Sequence, residues 1–543
     1  MITMRLKEVA RTCPVTAEER RFLVRVSALY AVLVVLVLFT VDRFWSANWD
    51  VEAFLGAARS FYDGGSFLDL YEKGRQQFYW PYVYPPLYAM TLAPFVWMAD
   101  RPFMPEWAPL VAVRVPVVAA DVGMAWLLYA IVAHTTTRRS LARLASLGWL
   151  FTPIIFYQTA IQAHHESVWL LPTVWAFWLM GQRGTKAAGR AALLLAIGVA
   201  MKQTAVLYTV PFGLYLLRHR RWRELMTSAL LFLLIVGGLM LPFHLYSDDF
   251  LALVVDEVRT MPVQTQSWVV WLLALEGYRV EQTRSTFPLI QHATFVTIGG
   301  ALLVSFLWWH LRQRELHRAA TPQENVTLWF AAGLLVTLVF FLTSQKVMAY
   351  YYLMLVPWLL TTWLSNGRVR LVTVVLLWTS WIVVSPYYAP WADPARLPLY
   401  ASLGSLNSLF FLGLMVMTFR MRPGEEGRDE GAVGAATGWL LLLTLGFVLS
   451  ALAHPLSNVV EEGGPTRQAL ILGLLVLVLI STLGGYALLR RHVGRWLGVE
   501  LPAPRAGHVA VTLWFTPLFF TWFTMTREIT FIIEKGVWEA WRL

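Results

Sequence analysis

Unbroken apolar runs of about 17 to 22 residues recur along this chain from Phe22 to Met525, each long enough to cross a hydrocarbon core of roughly 30 Å as a helix. Backbone amides inside lipid find no water to bond, so a crossing segment is either a helix or part of a closed barrel. Runs that do not alternate polar with apolar are helices. The sequence therefore predicts an all-α, polytopic membrane protein with about 13–15 transmembrane helices. Composition agrees: 57% of the 543 residues are hydrophobic and the mean hydropathy is +0.55, more apolar than an ordinary soluble domain.

The net charge is +11, and where the basic residues lie decides what that means. They cluster at the ends of the apolar runs, which marks a cytosolic face rather than a nucleic-acid surface. The single cysteine, Cys13, allows no intrachain disulfide and no thiolate metal cage. The run Phe22 to Val41 is too long for a signal-peptide core, so the segment after the polar tail 1–21 is expected to stay as an anchor.

Short basic connectors at Arg138–Arg143, Arg183–Arg190, Arg218–Arg223, Arg312–Arg318, Arg368–Arg370, Arg420–Arg428 and Arg490–Arg495 fix the cytosolic side. The opposite side then holds two large loops, 42–108 and 246–290, with smaller ones at 159–166, 344–348, 386–401 and 454–467. Two segments need interpretation for this alternation to hold. Leu87 to Ala99 is short and follows Pro85-Pro86, so it is expected to lie on the outer membrane surface. Ala191 to Leu217 has basic connectors at both ends and is expected to enter and return with Lys202-Gln203 at the tip; one long tilted span is the alternative. The expected organisation is a core at 22–420, a cytosolic linker at 421–438 rich in glycine, and a C-terminal module of three spans at 439–543 whose last eighteen residues rest on the outer interface.

Polar residues on the outer side carry the candidate chemistry. Asp50 follows the first span beside aromatic residues, where partial desolvation suits a general base; an N-cap for the run Glu52 to Tyr62 is the alternative. His164, His165 and Glu166 form the most polar part of an apolar connector and can contact a substrate, hold a metal or make a solvated turn. Lys202 interrupts an apolar run, where an ammonium is expensive without a reason, and Lys346 occupies a similar position between two spans. Either can balance an anionic leaving group or snorkel to the interface. Arg259 is a third candidate cation, with a surface ion pair as its simpler reading. Arg114 and Asp121 stand seven residues apart on one helix face and read as an internal structural pair.

In order along the chain come a first span, Asp50 in the first outer loop, Ala57-Ala58-Arg59 before Gly64-Gly65, and then Tyr84-Pro85-Pro86-Leu87. Pro153 with Ala163-His164-His165-Glu166-Ser167 follows, then Met201-Lys202 before Pro211, and Lys346-Val347 with Tyr350-Tyr351-Tyr352. This order, over roughly residues 20 to 365, resembles the GT-C glycosyltransferases, nearest to the first mannosyltransferase of GPI-anchor synthesis and the bacterial polyprenyl-phosphate-mannose-dependent mannosyltransferases. The resemblance implies a GT-C-like bundle whose large first exoplasmic loop carries interfacial helices. It places the catalytic residue on Asp50, and substrate contacts on Glu52, Tyr84, His164, His165, Glu166, Lys202, Gln203, Arg259, Lys346 and Tyr350. Asn48 stands where many relatives have the first aspartate of an Asp-x-Asp pair, with Glu52 as a neighbouring carboxylate. An obligate metal is not implied, although two such oxygens with a phosphate can hold Mg²⁺ or Mn²⁺.

The resemblance implies transfer of a hexose, mannose first among candidates, from a polyprenyl-phosphate donor to the hydroxyl of a lipid or glycan acceptor on the exoplasmic face. Nothing in the sequence points to nucleic acid or an obligate protein partner. The excess of arginine over lysine fits a prokaryotic plasma membrane. A secondary transporter would place ionisable groups at the centres of several spans, which are sparse here. A lipid-linked glycan ligase or polymerase would share the carrier lipid without the arrangement around Asp50 and Tyr84.

Overall fold

The computed structural model of the protein describes residues 16–41, 49–72, 82–136, 138–182, 186–256, 266–271, 293–313, 321–383, 397–422, 430–457, 465–497 and 500–523. Apart from turns these are helices, in keeping with the fold class expected from the apolar runs. Among the described residues eight helices are long and apolar enough to cross a membrane, or nine when the pair Arg139–Leu150 and Pro153–Ile161, bent by 41°, counts as one span. The remaining apolar runs are shorter or broken helices such as Ala187–Met201 and Val369–Ile382, so the expected 13–15 segments divide into full-length spans and interrupted ones.

Helix starts follow local chemistry. Proline stands at the first turn of Pro86–Ala99, Pro153–Phe156 and Pro322–Thr343, where a missing N–H leaves no intrahelical bond unmade. Thr321 accepts from the Glu324 amide at 3.2 Å while Glu324 accepts from the Thr321 amide at 2.8 Å, a reciprocal capping box. The helix it starts is the central pillar, 89% buried over its apolar window and packed against Glu166–Gly181, Ala293–Leu311, Leu355–Leu364 and Leu397–Arg420. Gly333 lets Leu355–Leu364 come close, since a Cβ there would lie 2.5 Å from the Trp358 ring. Trp222–Tyr246 is at the periphery, only 6% buried, with leucines such as Leu233 and Leu241 facing outward to lipid.

In the first large loop Trp49–Arg59 packs against Pro86–Ala99, and both pack on Ala108–Thr136. Arg59 holds Asp100 through two bonds of 2.8 Å, and the Tyr62 hydroxyl donates to the same carboxylate at 2.7 Å. Pro86–Ala99 buries Tyr88, Ala89, Leu92 and Val96 against its neighbours while Trp97 and Met98 stay exposed, as a helix lying at an interface should. The segment from 187 to 218 breaks at Lys202 into Ala187–Met201, the tight turn Gln203–Tyr208 and Thr209–Arg218. Ala187–Met201 packs beside Trp222–Tyr246, and Lys186, Arg190 and Arg223 border one cleft at the basic end. The chain between them therefore goes out and returns, with Lys202-Gln203 at the far end.

Two expectations change. Arg114 and Asp121 are each engaged on the π-type turn Tyr157–Ile161 instead of forming the expected pair. Arg114 donates to the carbonyls of Ala160 at 2.9 Å and Ile161 at 3.2 Å, and Asp121 accepts from Thr159 at 2.8 Å and from Tyr30 at 2.6 Å. A two-turn separation along the helix axis, roughly 10 Å, is too long for a contact pair. Residues 430–438, expected in the linker, begin the helix Glu430–Ser457. Their glycines are packing positions: a Cβ at Gly434 would lie 2.5 Å from the Glu500 carbonyl oxygen, and one at Gly438 would lie 2.7 Å from the Tyr486 hydroxyl. The C-terminal helices join the main core through Phe447, Phe519 and Phe523, and Thr444 donates to the Phe151 carbonyl at 2.6 Å. The stretches 1–15, 423–429 and 524–543 lie outside the described residues.

Candidate active site

Asp50 lies in the first turn of Trp49–Arg59 and is already helical, so it is not the cap considered for it. Val51, Phe54, Ala57 and Ala58 bury the inner face of this helix, and Asp50 is partly buried beside them. Glu52 is exposed, because residues two apart on a helix point to nearly opposite sides. The neighbouring carboxylate expected at Glu52 therefore does not converge with Asp50.

Opposite Asp50 stands the turn that follows the bent span. The Asp121 and Arg114 bonds hold its π-type part, and Ala163 takes φ +49°, a left-handed conformation costing a non-glycine residue roughly 1–2 kcal/mol. This reversal delivers His164, His165 and Glu166 together, all fully buried. The Tyr84 hydroxyl is 3.1 Å from His164 Nε2, and His164 Nδ1 lies 3.2 Å from Glu166 Oε1. Nδ1 makes no hydrogen bond at that approach, so the Tyr84 hydroxyl at Nε2 is the bond that holds the ring. His164 stacks on Tyr350 at 3.9 Å, and His165 stacks on Tyr88 at 4.1 Å with Phe54 edge-on at 5.4 Å. Burial first, then the nearby Lys202 charge, pushes both histidines well below the usual imidazole range, so both are neutral at pH 7.

Lys202 reaches the same place from the tip of the returning segment. Its ammonium is 1% exposed and ion-paired with Glu166, whose other oxygen accepts from Trp169 Nε1 at 2.6 Å. The rings of Tyr351 at 4.4 Å and Tyr84 at 5.2 Å cover it, which makes burial of a cation tolerable. Gln203 ties the tip down by donating to the Val83 carbonyl at 3.2 Å and the Val254 carbonyl at 3.4 Å. Tyr71 and Tyr82 brace the Tyr84-Pro85 segment through its carbonyls at 2.7 and 3.0 Å. From the other half of the chain the turn Ser344 to Lys346, closed by the Ser344 hydroxyl, brings a partly exposed Lys346, and the tight helix Ala349–Met354 brings Tyr350 and Tyr351.

The Asp50 carboxyl lies within electrostatic reach of Lys346, Lys202 and Glu166. Burial pushes it up; Lys346 and then Lys202 pull it down, and Glu166 raises it, leaving it at about 6. A carboxylate with that value is a stronger base than an ordinary aspartate and is still mostly ionised at pH 7. The donor set does not suit a divalent cation: Glu52 faces away, Glu166 is taken up by Lys202 and Trp169, and two ammonium groups accompany Asp50. Among the described residues no three acidic, histidine or cysteine side chains group as metal ligands.

Of the expected residues, Asp50, Tyr84, His164, His165, Glu166, Lys202, Gln203, Lys346 and Tyr350 meet in one place; Glu52 does not, and Arg259 lies outside the described residues. Sequence reasoning missed Phe54, Tyr88, Trp169 and the part played by Tyr351. Trp169 stands three residues after Glu166 on the same helix face, so spacing carried a signal for it, whereas Tyr84 precedes the helix Pro86–Ala99 and its spacing to Tyr88 carried none.

Residues 82–340 match the profile of Glycosyltransferase family 87, a stretch that holds Tyr84, the His164 to Glu166 turn and Lys202. No curated protein matches the sequence. Among solved structures, a crystal structure of ArnT from Cupriavidus metallidurans bound to undecaprenyl phosphate is similar, with 13% identity, coverage of 91% of this chain and 88% of that chain, and a TM-score of 0.41. The multi-span helical chain is thus similar, over residues 82–340, to the glycosyltransferases of family 87.

Proposed function

We propose that the protein transfers a hexose, mannose before others, from a polyprenyl-phosphate-linked donor to the hydroxyl of a lipid or glycan acceptor on the exoplasmic face of a prokaryotic plasma membrane. The observation that carries this reading is Asp50 at the edge of the bundle, raised to about 6 yet flanked by Lys346 and Lys202. Asp50 takes the acceptor proton as the hydroxyl oxygen bonds to the anomeric carbon, and the bond from that carbon to the carrier phosphate breaks. Phosphate is a good leaving group, so no carboxylic acid is needed to protonate it, unlike in glycoside hydrolysis. Lys346 is the cation positioned to meet the phosphate, because it is partly exposed, whereas Lys202 is sealed under tyrosine rings and neutralised by Glu166. Lys202 and Glu166 instead set the field around His164. His165 lies against the Met201 backbone and stacks on Tyr88, which leaves a ring nitrogen for a sugar hydroxyl.

The test is Asp50→Asn assayed with polyprenyl-phosphate-mannose and with the glucose analogue. We expect transfer to fall by about 10²-fold or more, with thermal stability and carrier-lipid binding kept. Unchanged product formation would remove Asp50 from the chemistry, and preference for the glucose donor would replace mannose as the sugar.

A further inference from the structure

At the basic end of the bundle, across the membrane from Asp50, the starts of Ala187–Met201 and Trp222–Tyr246 border an open cleft of about 440 Å³. Lys186, Arg190 and Arg223 line it with Thr227, Ser228 and Glu224. The carboxylate is already used: Arg221 grips Glu224 through two bonds of 2.6 and 2.5 Å, which leaves the three cations to set the sign of the cleft. They stand where cations are disfavoured, at the positive ends of two helix dipoles. Neither helix has a side-chain cap, at Lys186 or at Arg221, so first-turn amides remain to be satisfied. A rule that places lysine and arginine on the cytosolic side accounts for the charges alone. It does not account for Ser228, which lines the cleft at 3% exposure with a hydroxyl that has no hydrogen-bond partner among the described residues. A buried hydroxyl without a partner is unfavourable unless something fills the cleft beside it.

We propose that this cleft binds the phosphate oxyanion of an anionic phospholipid headgroup. Arg190, Arg223 and Lys186 would share its charge, the Ser228 hydroxyl would donate to one oxygen, and the open helix starts would face the anion. The same oxyanion chemistry would suit free inorganic phosphate, but the surroundings favour a lipid. Trp222, Met226, Leu230 and Leu233 run from the mouth of the cleft along the outer side of Trp222–Tyr246, each more than half exposed, and offer a path for an acyl chain. The site is separate from sugar transfer and does not depend on that reading.

Native mass spectrometry of the full-length protein in detergent, titrated with phosphatidylglycerol, phosphatidylcholine or inorganic phosphate, tests it. We expect one phosphatidylglycerol held at least tenfold more tightly than phosphatidylcholine. That preference should disappear in the Arg190→Gln, Arg223→Gln double variant and weaken in Ser228→Ala, which leaves every charge in place. Wild-type retention of phosphatidylglycerol in both variants overturns the site. Displacement of the lipid by inorganic phosphate at equal concentration overturns the lipid as occupant.

Discussion

Asp50 is held between two opposing influences, and its titration separates them. Burial favours its neutral form, and Lys346 and Lys202 favour the ionised one. A general base works only when ionised, so kcat/KM should be low in acid, rise through about pH 6 and level off above it. Replacing Lys346 by Gln removes the larger of the two lowering charges, so the acid limb should move to higher pH while the plateau also drops. A pH profile of kcat/KM for Lys346→Gln beside Lys346→Arg checks this, and a limb that stays near pH 6 in the Gln variant would show that Lys346 does not act on Asp50. Much of this arrangement was legible in the chain. Lys202 drew attention because an ammonium in an apolar run needs a partner, and Glu166 is that partner. The direction of Glu52 was legible too, from helix geometry, but the acidic-pair pattern of the family outweighed it.

Helices here meet through small residues and through turns stapled by polar groups. Gly333 is among the tightest of the former, with Trp358 seated where a side chain would go and the Trp358 indole donating to Tyr208 at 3.2 Å. A methyl group there must displace a ring that is stacked on Tyr208 and packed by Phe177 and Phe330. Gly333→Ala should therefore destabilise the protein by about 1–3 kcal/mol, read as a lower midpoint of thermal unfolding in detergent, whereas Gly413→Ala, with open space around it, should not. Glycine is also where the sequence misled. A glycine-rich stretch reads as a flexible connector, yet from Glu430 onward it is helix, because Gly434 and Gly438 admit neighbours that composition does not reveal. Arg114 and Asp121 were rightly singled out as structural, but the turn at Tyr157–Ile161 that they brace is distant in sequence and gave no periodic signal of its own.

Across the whole molecule the basic connectors and the cluster around Asp50 lie at opposite ends, a division the apolar runs and their flanking charges predict. Charge alternation located the loops, and the loops hold Asp50, the His164 to Glu166 turn, Lys202 and Lys346 on one side. What linear spacing could not convey is which rings cover which charges, since Tyr84, Tyr88, Tyr350 and Tyr351 gather from stretches more than 250 residues apart. A protein cut between Thr343 and Ser344 leaves Lys346 and both late tyrosines on the second piece. Each half should be inactive alone and active when the two are co-expressed, as measured by sugar transfer in membranes. Activity from the first half alone would place the essential groups before residue 344.

The order in which those groups arrive has a bearing on how the cell makes the protein. Translation delivers Asp50 early and the Lys346 to Tyr351 stretch some three hundred residues later, so a nascent chain threading into the bilayer remains inert for most of its synthesis. A chain stopped before Ser344 lacks Lys346, Tyr350 and Tyr351 and so cannot complete the cluster around Asp50.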